Sequence, residues 1–190
     1  MRTEILDKIL DLEWNMFSQV RSARPAACQQ SPRAFRAIRG SLFALWNDAL
    51  LASYLDDLKA AGDAGRNLLT EKYARMDGLI SVLSSNPIIE VIVDIEAAWQ
   101  RELRDRFPAL YRRCCRGTDL AEDGSDFAVY LHSELETYGY DTVEKYYEHV
   151  KLALDDGRNL AIDALSELVR QAGYADIGQA ESVLSTEQRA

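Results

Sequence analysis

Asp63-Ala64-Gly65-Arg66-Asn67-Leu68 returns as Asp155-Asp156-Gly157-Arg158-Asn159-Leu160, and this repeated phrase decides the reading of the fold. The match extends upstream at one offset: Tyr54 falls on Tyr146 (146 − 54 = 92), Lys59 on Lys151 and Asp63 on Asp155. Downstream, Glu71 falls on Asp163. A second echo opens each half, Ile9-Leu10-Asp11-Leu12-Glu13 against Ile92-Val93-Asp94-Ile95-Glu96. The expectation is a duplicated helical unit, with halves spanning residues 1–80 and 86–173, packed about a pseudo-twofold axis. Such an axis creates a central cleft lined by paired polar groups.

Working outward, helical periodicity dominates. Leu6, Ile9, Leu10, Glu13, Phe17 and Val20 recur near the helical period, with Thr3 available as N-cap. Ser31-Pro32 reads as an N-cap followed by proline at the first helical position. Phe35, Ile38, Leu42, Leu45 and Trp46 carry the stripe on, and a break is expected between Asn47 and Ser53, with Ser53-Tyr54-Leu55-Asp56 as a capping-box variant. Leu55, Leu58, Gly62, Gly65, Leu69, Tyr73 and Met76 then share one face, which places the Gly-Arg-Asn phrase inside a helix. Tyr147, Val150, Leu154, Gly157, Ala161, Leu165 and Leu168 repeat that stripe in a second long helix over residues 142–172. Further helices are expected from Ile88 to Phe107, stopped by Pro108, and from Phe127 to Tyr138. The fold class is therefore all-α, a helical bundle of about six main helices in one domain over residues 1–175, with a short C-terminal tail at 176–190.

Composition bounds the function. The chain has 190 residues and a net charge of −9, which disfavours a general nucleic-acid binder or a protein held on anionic lipid. No apolar run is long enough to span a membrane, and the charged start lacks the apolar core of a secretory signal. Three cysteines, Cys28 alone and Cys114-Cys115 adjacent, suit reduced thiols in a cytoplasm better than a disulfide framework. No phosphate-binding loop, dinucleotide fingerprint, nucleophile elbow or zinc signature is present. Neither His132 nor His149 follows a glutamate at the spacing of a ferritin-like diiron motif, and His149, after Glu148, is expected on a solvated face.

Several phrases carry a resemblance. Glu13-Trp14-Asn15-Met16-Phe17, Ala27-Cys28-Gln29, Ser53-Tyr54-Leu55-Asp56-Asp57-Leu58, Leu131-His132-Ser133-Glu134-Leu135-Glu136-Thr137-Tyr138 and, above all, Gly65-Arg66-Asn67-Leu68-Leu69-Thr70-Glu71-Lys72-Tyr73-Ala74-Arg75-Met76 are its carriers. Together they resemble a bacterial family labelled only as a domain of unknown function. The chain departs from that pattern at Asn15, where the family carries an acidic residue, and at Ser22 to Pro25, where it is glycine-rich. The resemblance implies an all-helical fold, assigns no activity, and points to a nucleotidyltransferase-like partner.

Two functional readings follow from the residues. The first is a cytoplasmic binding protein for a small anionic ligand, or for a partner's acidic segment, in a cleft between the halves. Its site would use Glu13, Arg24, Arg39, Arg66, Asn67, Glu71, Arg75, Arg158 and Asn159. Asn67, Glu71 and Arg75 are spaced to stack on one helix face, and the arginine-rich stretches 21–39 and 101–116 suit bidentate contact with carboxylate or phosphate. The second is a metal-assisted hydrolase or transferase acting on a phosphorylated small molecule. There Glu13, Glu71, Glu96 and Asp163 would supply the oxygen ligands that Mg²⁺ or Mn²⁺ requires, and Arg66 would clamp the phosphate. The first reading needs no cofactor. Pairing of Arg66 and Arg158 with these same carboxylates is the structural alternative to both.

Overall fold

The computed structural model describes residues 2–21, 29, 31–118 and 126–187. Among the described residues the protein is all-helical, with ten helices and no strand. They are α1 (Arg2–Ser18), α2 (Pro32–Phe43), α3 (Asp48–Asp63), α4 (Leu68–Met76), α5 (Ile88–Arg106), α6 (Pro108–Cys114), α7 (Phe127–Leu135), α8 (Tyr140–Asp155), α9 (Leu160–Gln171) and α10 (Ile177–Glu187). None of them is long and apolar enough to cross a membrane.

Each of the two long helices expected across a Gly-Arg-Asn phrase is broken there into two. Gly65 and Gly157 take left-handed backbone angles, φ 69° and 67°, conformations that glycine adopts without steric cost. The amides that follow fold back, Arg66 N–H onto the Ala61 carbonyl and Arg158 N–H onto that of Ala153, both at 2.8 Å. This satisfies carbonyls that a helix end leaves without partners. Asn67 and Asn159 then cap the next helix, their side-chain oxygens accepting from Thr70 N–H and from Ala161 and Ile162 N–H. Each asparagine also ties its turn to an earlier helix, Asn67 donating to the Met16 carbonyl of α1 and Asn159 to the Trp99 carbonyl of α5. The phrase is thus a helix stop, a left-handed turn and a helix start in sequence.

Other boundaries have equally local causes. Ser31 caps α2 with Pro32 at its first turn, and Asn47, rather than Ser53, caps α3. Ser53 lies inside α3, where its hydroxyl meets Thr142 of α8 at 2.7 Å. Pro108 ends α5 and opens α6, a short helix set within the arginine-rich stretch 101–116.

The helices pack as a set of crossings: α1 lies against α2, α3 and α4, while α5 lies against α7, α8 and α9. Between these groups α3 meets α8, α2 meets α9 and α4 meets α7. The main core fills this space with Ile9, Phe17, Phe43, Leu50, Tyr54, Leu58, Ile92, Leu135 and Val150 among its members. A smaller core holds α10, whose Ala180 packs with Leu103, Leu110, Tyr111, Leu165 and Val169. Glu181 of α10 also accepts from Ala109 and Leu110 N–H at the start of α6, so residues 177–187 are docked to the body.

Candidate functional site

The unusual part of the interior is charged. Glu13 on α1 is fully buried, and Arg39 on α2 grips it with two bonds, Nε to Oε2 at 2.8 Å and Nη2 to Oε1 at 2.5 Å. The same Arg39 Nη2 reaches Glu134 of α7 at 2.6 Å. Lys72 of α4, buried as well, bonds the other oxygen of Glu134 and lies 3.4 Å from the centroid of the Tyr130 ring. Tyr54 donates to Glu13 at 2.6 Å and Tyr138 to Glu134 at 2.9 Å. Two acids and two bases thus alternate in a chain that four helices assemble. Buried charges are tolerated when paired and hydrogen-bonded in this way.

Electrostatics follow from that arrangement. Burial pushes the Glu134 carboxyl upward, but Arg39 and Lys72 overcome it and hold the group well below the usual carboxylate range. Burial lowers Lys72 against the pull of Glu134. The tyrosine hydroxyls of Tyr54, Tyr130 and Tyr138 are raised by burial and by the neighbouring glutamates, and those of Tyr54 and Tyr138 serve as donors.

Beside this chain lies a cavity of about 90 Å³ between α2, α5, α7, α8 and α9. Arg39 and Glu134 form one wall, Phe43, Trp46 and Tyr138 are aromatic neighbours, and Glu96, Gln100, Tyr146 and His149 supply further polar groups. Glu96 and Gln100 are one helical turn apart on α5, as are Tyr146 and His149 on α8, which turns each pair to a common face. Tyr146 donates to Glu96 Oε1 at 2.6 Å. Burial, opposed by the Tyr146 hydroxyl and reinforced by the charge of Glu134, pushes the Glu96 carboxyl up to about 7. His149, expected on a solvated face, is only 9% exposed, and burial, followed by the charge of Arg158, lowers its pKa. Its Nε2 and the Oε1 of Gln100 are buried without a hydrogen-bond partner among the described residues. A few such atoms are all that a folded protein normally leaves, and the residues that carry these two line the same cavity.

Of the described residues expected to bind a ligand, Arg39 alone borders this cavity; Glu96, from the expected metal set, borders it too. Glu13 is enclosed by Arg39 and Tyr54. Arg66 and Arg158, each about half exposed, pair with Glu71 and Asp163 at 2.7 Å. Arg75 forms a two-pronged bond to Glu136, whose carboxylate also accepts from Leu83 N–H and meets His132. That cluster fastens the segment after α4 to α7. Asn159, Arg158 and Asp163 share a separate, open cleft of about 470 Å³ with Trp99, Glu102 and Arg106. Arg24 and Cys28 lie outside the described residues. No three histidine, cysteine, aspartate or glutamate side chains are grouped to hold a metal ion among the described residues, so Glu13, Glu71, Glu96 and Asp163 do not converge there.

Sequence reasoning passed over Lys72, Glu134, Gln100 and His149. Lys72 and Glu134 stand within the quoted family phrases, and a charged residue on the apolar side of a helical stripe is the signal that marks them. Gln100 and His149 carry no such signal, since on α5 and α8 a polar residue fits the solvent side equally well.

No curated protein and no solved structure matches the chain. A family match covers residues 3–182, nearly the whole length. The chain belongs to the family described as protein of unknown function, DUF4125.

Proposed function

We propose that this chain is a duplicated helical binding protein that takes a small polar molecule into the cavity beside Glu96. The observation that carries the reading is the pair of unpartnered buried atoms, Gln100 Oε1 and His149 Nε2, on two residues that line one cavity. Leaving a buried polar atom unsatisfied costs about 1–3 kcal/mol, and a molecule bonded to both would recover that. Aromatic walls with a few convergent polar groups are the usual makeup of a small-molecule site.

Duplication is supported by features that recur at fixed offsets. Tyr54 bonds Glu13 and Tyr146 bonds Glu96, both at 2.6 Å. Arg66 pairs with Glu71 as Arg158 does with Asp163. Crosswise packing of α2 on α9 and α4 on α7, with α3 on α8 between, is what a twofold relation of the halves would give. The cavity then lies at the interface of two halves, where ligand sites commonly form. Adjacent free thiols at Cys114 and Cys115 suit a reducing cytoplasm.

A second reading keeps the anionic ligand and places it in the open cleft of Arg106 and Arg158. Its volume favours it; the engagement of both arginines by Glu102 and Asp163 weighs against it.

A thermal-shift panel of small amines, carboxylates, phosphates and sugars on wild type and on Ala161→Leu tests these readings. Ala161 borders the cavity, and leucine there would occupy it. The expected result is stabilisation of the wild type by at least one class, lost in Ala161→Leu. Indifference of the wild type to the whole panel, or equal shifts in both proteins, contradicts the cavity reading. A shift by phosphate that Arg158→Ala removes would favour the open cleft instead.

A further inference from the structure

Cavities lie on both sides of the Arg39–Glu134 contact, about 90 Å³ beside Glu96 and about 50 Å³ among Phe17, Phe35, Leu69 and Tyr73. Along α1 and α5, Glu13 falls on Glu96 (96 − 13 = 83) and Phe17 on Gln100. At the offset of the repeated phrase, Asp57 falls on His149 (149 − 57 = 92), Leu69 on Ala161 and Lys72 on Ala164. On the narrower side Phe17 stacks on Phe35 and Tyr73 at 5.1 and 5.8 Å between centroids. Leu69 is buried there, Asp57 accepts from Gly139 N–H at 2.9 Å, and Arg39 neutralises Glu13. On the other side the smaller or more polar Gln100 and Ala161 stand in place of Phe17 and Leu69 and border the cavity. His149 Nε2 and Gln100 Oε1 are unpartnered among the described residues. Glu96 has the Tyr146 hydroxyl, and no described lysine or arginine forms an ion pair with it. Where α2 presents Arg39, α7 presents Glu134 (134 − 39 = 95, the offset that also carries Phe43 onto Tyr138). The cation that closes the first site therefore has no counterpart at the second.

We propose that the cavity binds the ammonium head of a small primary amine, held by Glu96, Gln100 and His149 and walled by Trp46 and Tyr146. This rests on the cavity-binding reading above and adds the class of ligand.

The donor and acceptor inventory matches. A primary ammonium has three N–H donors and no acceptor. The cavity offers the Glu96 carboxylate, the Gln100 amide oxygen and, in the tautomer protonated at Nδ1, the His149 Nε2 lone pair. Burial keeps that imidazole neutral, so one ring nitrogen is free to accept. Indole and phenol faces attract an organic cation, and Trp46 and Tyr146 meet edge to face at 5.4 Å between centroids. A carboxylate or phosphate would instead meet Glu96 and Glu134, with the Arg39 guanidinium in the same wall already engaged by Glu13 and Glu134. An alkali cation would find an imidazole nitrogen where hard cations take oxygen. The volume of about 90 Å³ limits the ligand to a few heavy atoms inside the wall.

The test is titration of the whole chain with ethylammonium chloride by calorimetry and thermal shift, with acetate, ethanol and potassium chloride as comparisons. Ethylammonium is expected to bind and to raise the melting temperature while the comparison solutes do not. Glu96→Gln should weaken binding at least tenfold, and Ala161→Leu should remove it, with circular dichroism showing both folded. If Glu96→Gln does not fold, Gln100→Leu gives the same readout. Equal stabilisation by acetate, ethanol or potassium, lost in Ala161→Leu, overturns the ammonium assignment and leaves the cavity reading standing. No response to any of the four, or responses unchanged in Ala161→Leu, overturns both.

Discussion

Arg39 and Glu134 bond each other at 2.6 Å from helices α2 and α7, and each is also neutralised from elsewhere, Arg39 by Glu13 and Glu134 by Lys72. Removing one member leaves an opposite charge buried without its partner. Arg39→Met and Lys72→Met are each expected to destabilise the protein by about 3–5 kcal/mol, measured by denaturant unfolding. Arg39→Met with Glu13→Gln should cost less than the sum of the two single changes, because both ends of one pair go together. A cost under about 1 kcal/mol for Lys72→Met would contradict the alternating chain as a buried, coupled unit.

Glu96 gives stability an unusual pH dependence. Its folded pKa of about 7 lies above the ordinary value of 4.5, so between those values the folded state holds a proton that the unfolded chain has lost. Stability must then fall as pH rises from 4.5 to 7, by roughly 3 kcal/mol at most, and level off above. The titratable groups that line the cavity with Glu96 are Tyr146 and His149 from α8, Tyr130 and Glu134 from α7, Tyr138 from the turn after it, and Arg39 from α2. Glu134 acts with the opposite sign: its depressed pKa contributes stability that is lost as the medium becomes acidic. Glu96→Gln should therefore be more stable than wild type at pH 8 and nearly equal to it at pH 4. Equal stability of the two proteins at pH 8 would show that Glu96 ionises freely.

The two Gly-Arg-Asn turns make a matched set of predictions. Gly65→Ala and Gly157→Ala force a side chain into left-handed backbone and should each cost about 1 kcal/mol or more. Asn67→Ala and Asn159→Ala each remove a cap, worth about 1 kcal/mol, together with the tie to α1 or α5. Comparable losses at equivalent positions in thermal unfolding fit a duplicated unit. A large loss at one turn and none at the other would count against it.

Arg66 and Arg158 take the pairing that the sequence offers as the structural alternative to a ligand site. Their repetition suggested a shared polar site, yet each makes a half-exposed pair with a carboxylate five residues on. Such pairs contribute about 0–1 kcal/mol. Arg66→Ala should leave ethylammonium binding unchanged and lower stability by less than about 1 kcal/mol. Loss of binding in that variant would move the site to the first turn.

Much of the fold was legible. Periodic apolar stripes set the helix class, and Ser31-Pro32 and Pro108 marked boundaries that the structure keeps. The Gly-Arg-Asn phrase was recognised as the organising repeat but placed inside helices, because its flanks hold the helical period through the turn. Gly65 followed two residues later by Asn67 is the signature of a stop and a restart, and its two occurrences add two helices to the expected six, α6 and α10 being the other additions. The site was less legible, since Glu96 and Gln100 resemble ordinary solvated residues on α5. Only the crossing of α5, α8 and α9 turns them inward. That Glu96 has no ion pair among the described residues, Arg39 being engaged by Glu13 and Glu134, shows only in the folded arrangement.

A crystal structure of the wild-type chain grown with ethylammonium chloride tests the central claim most directly. The account predicts a molecule in the cavity whose nitrogen lies within hydrogen-bond distance of Glu96, Gln100 and His149. A cavity holding water alone, or closed by Gln100 and His149 bonding each other, would contradict it.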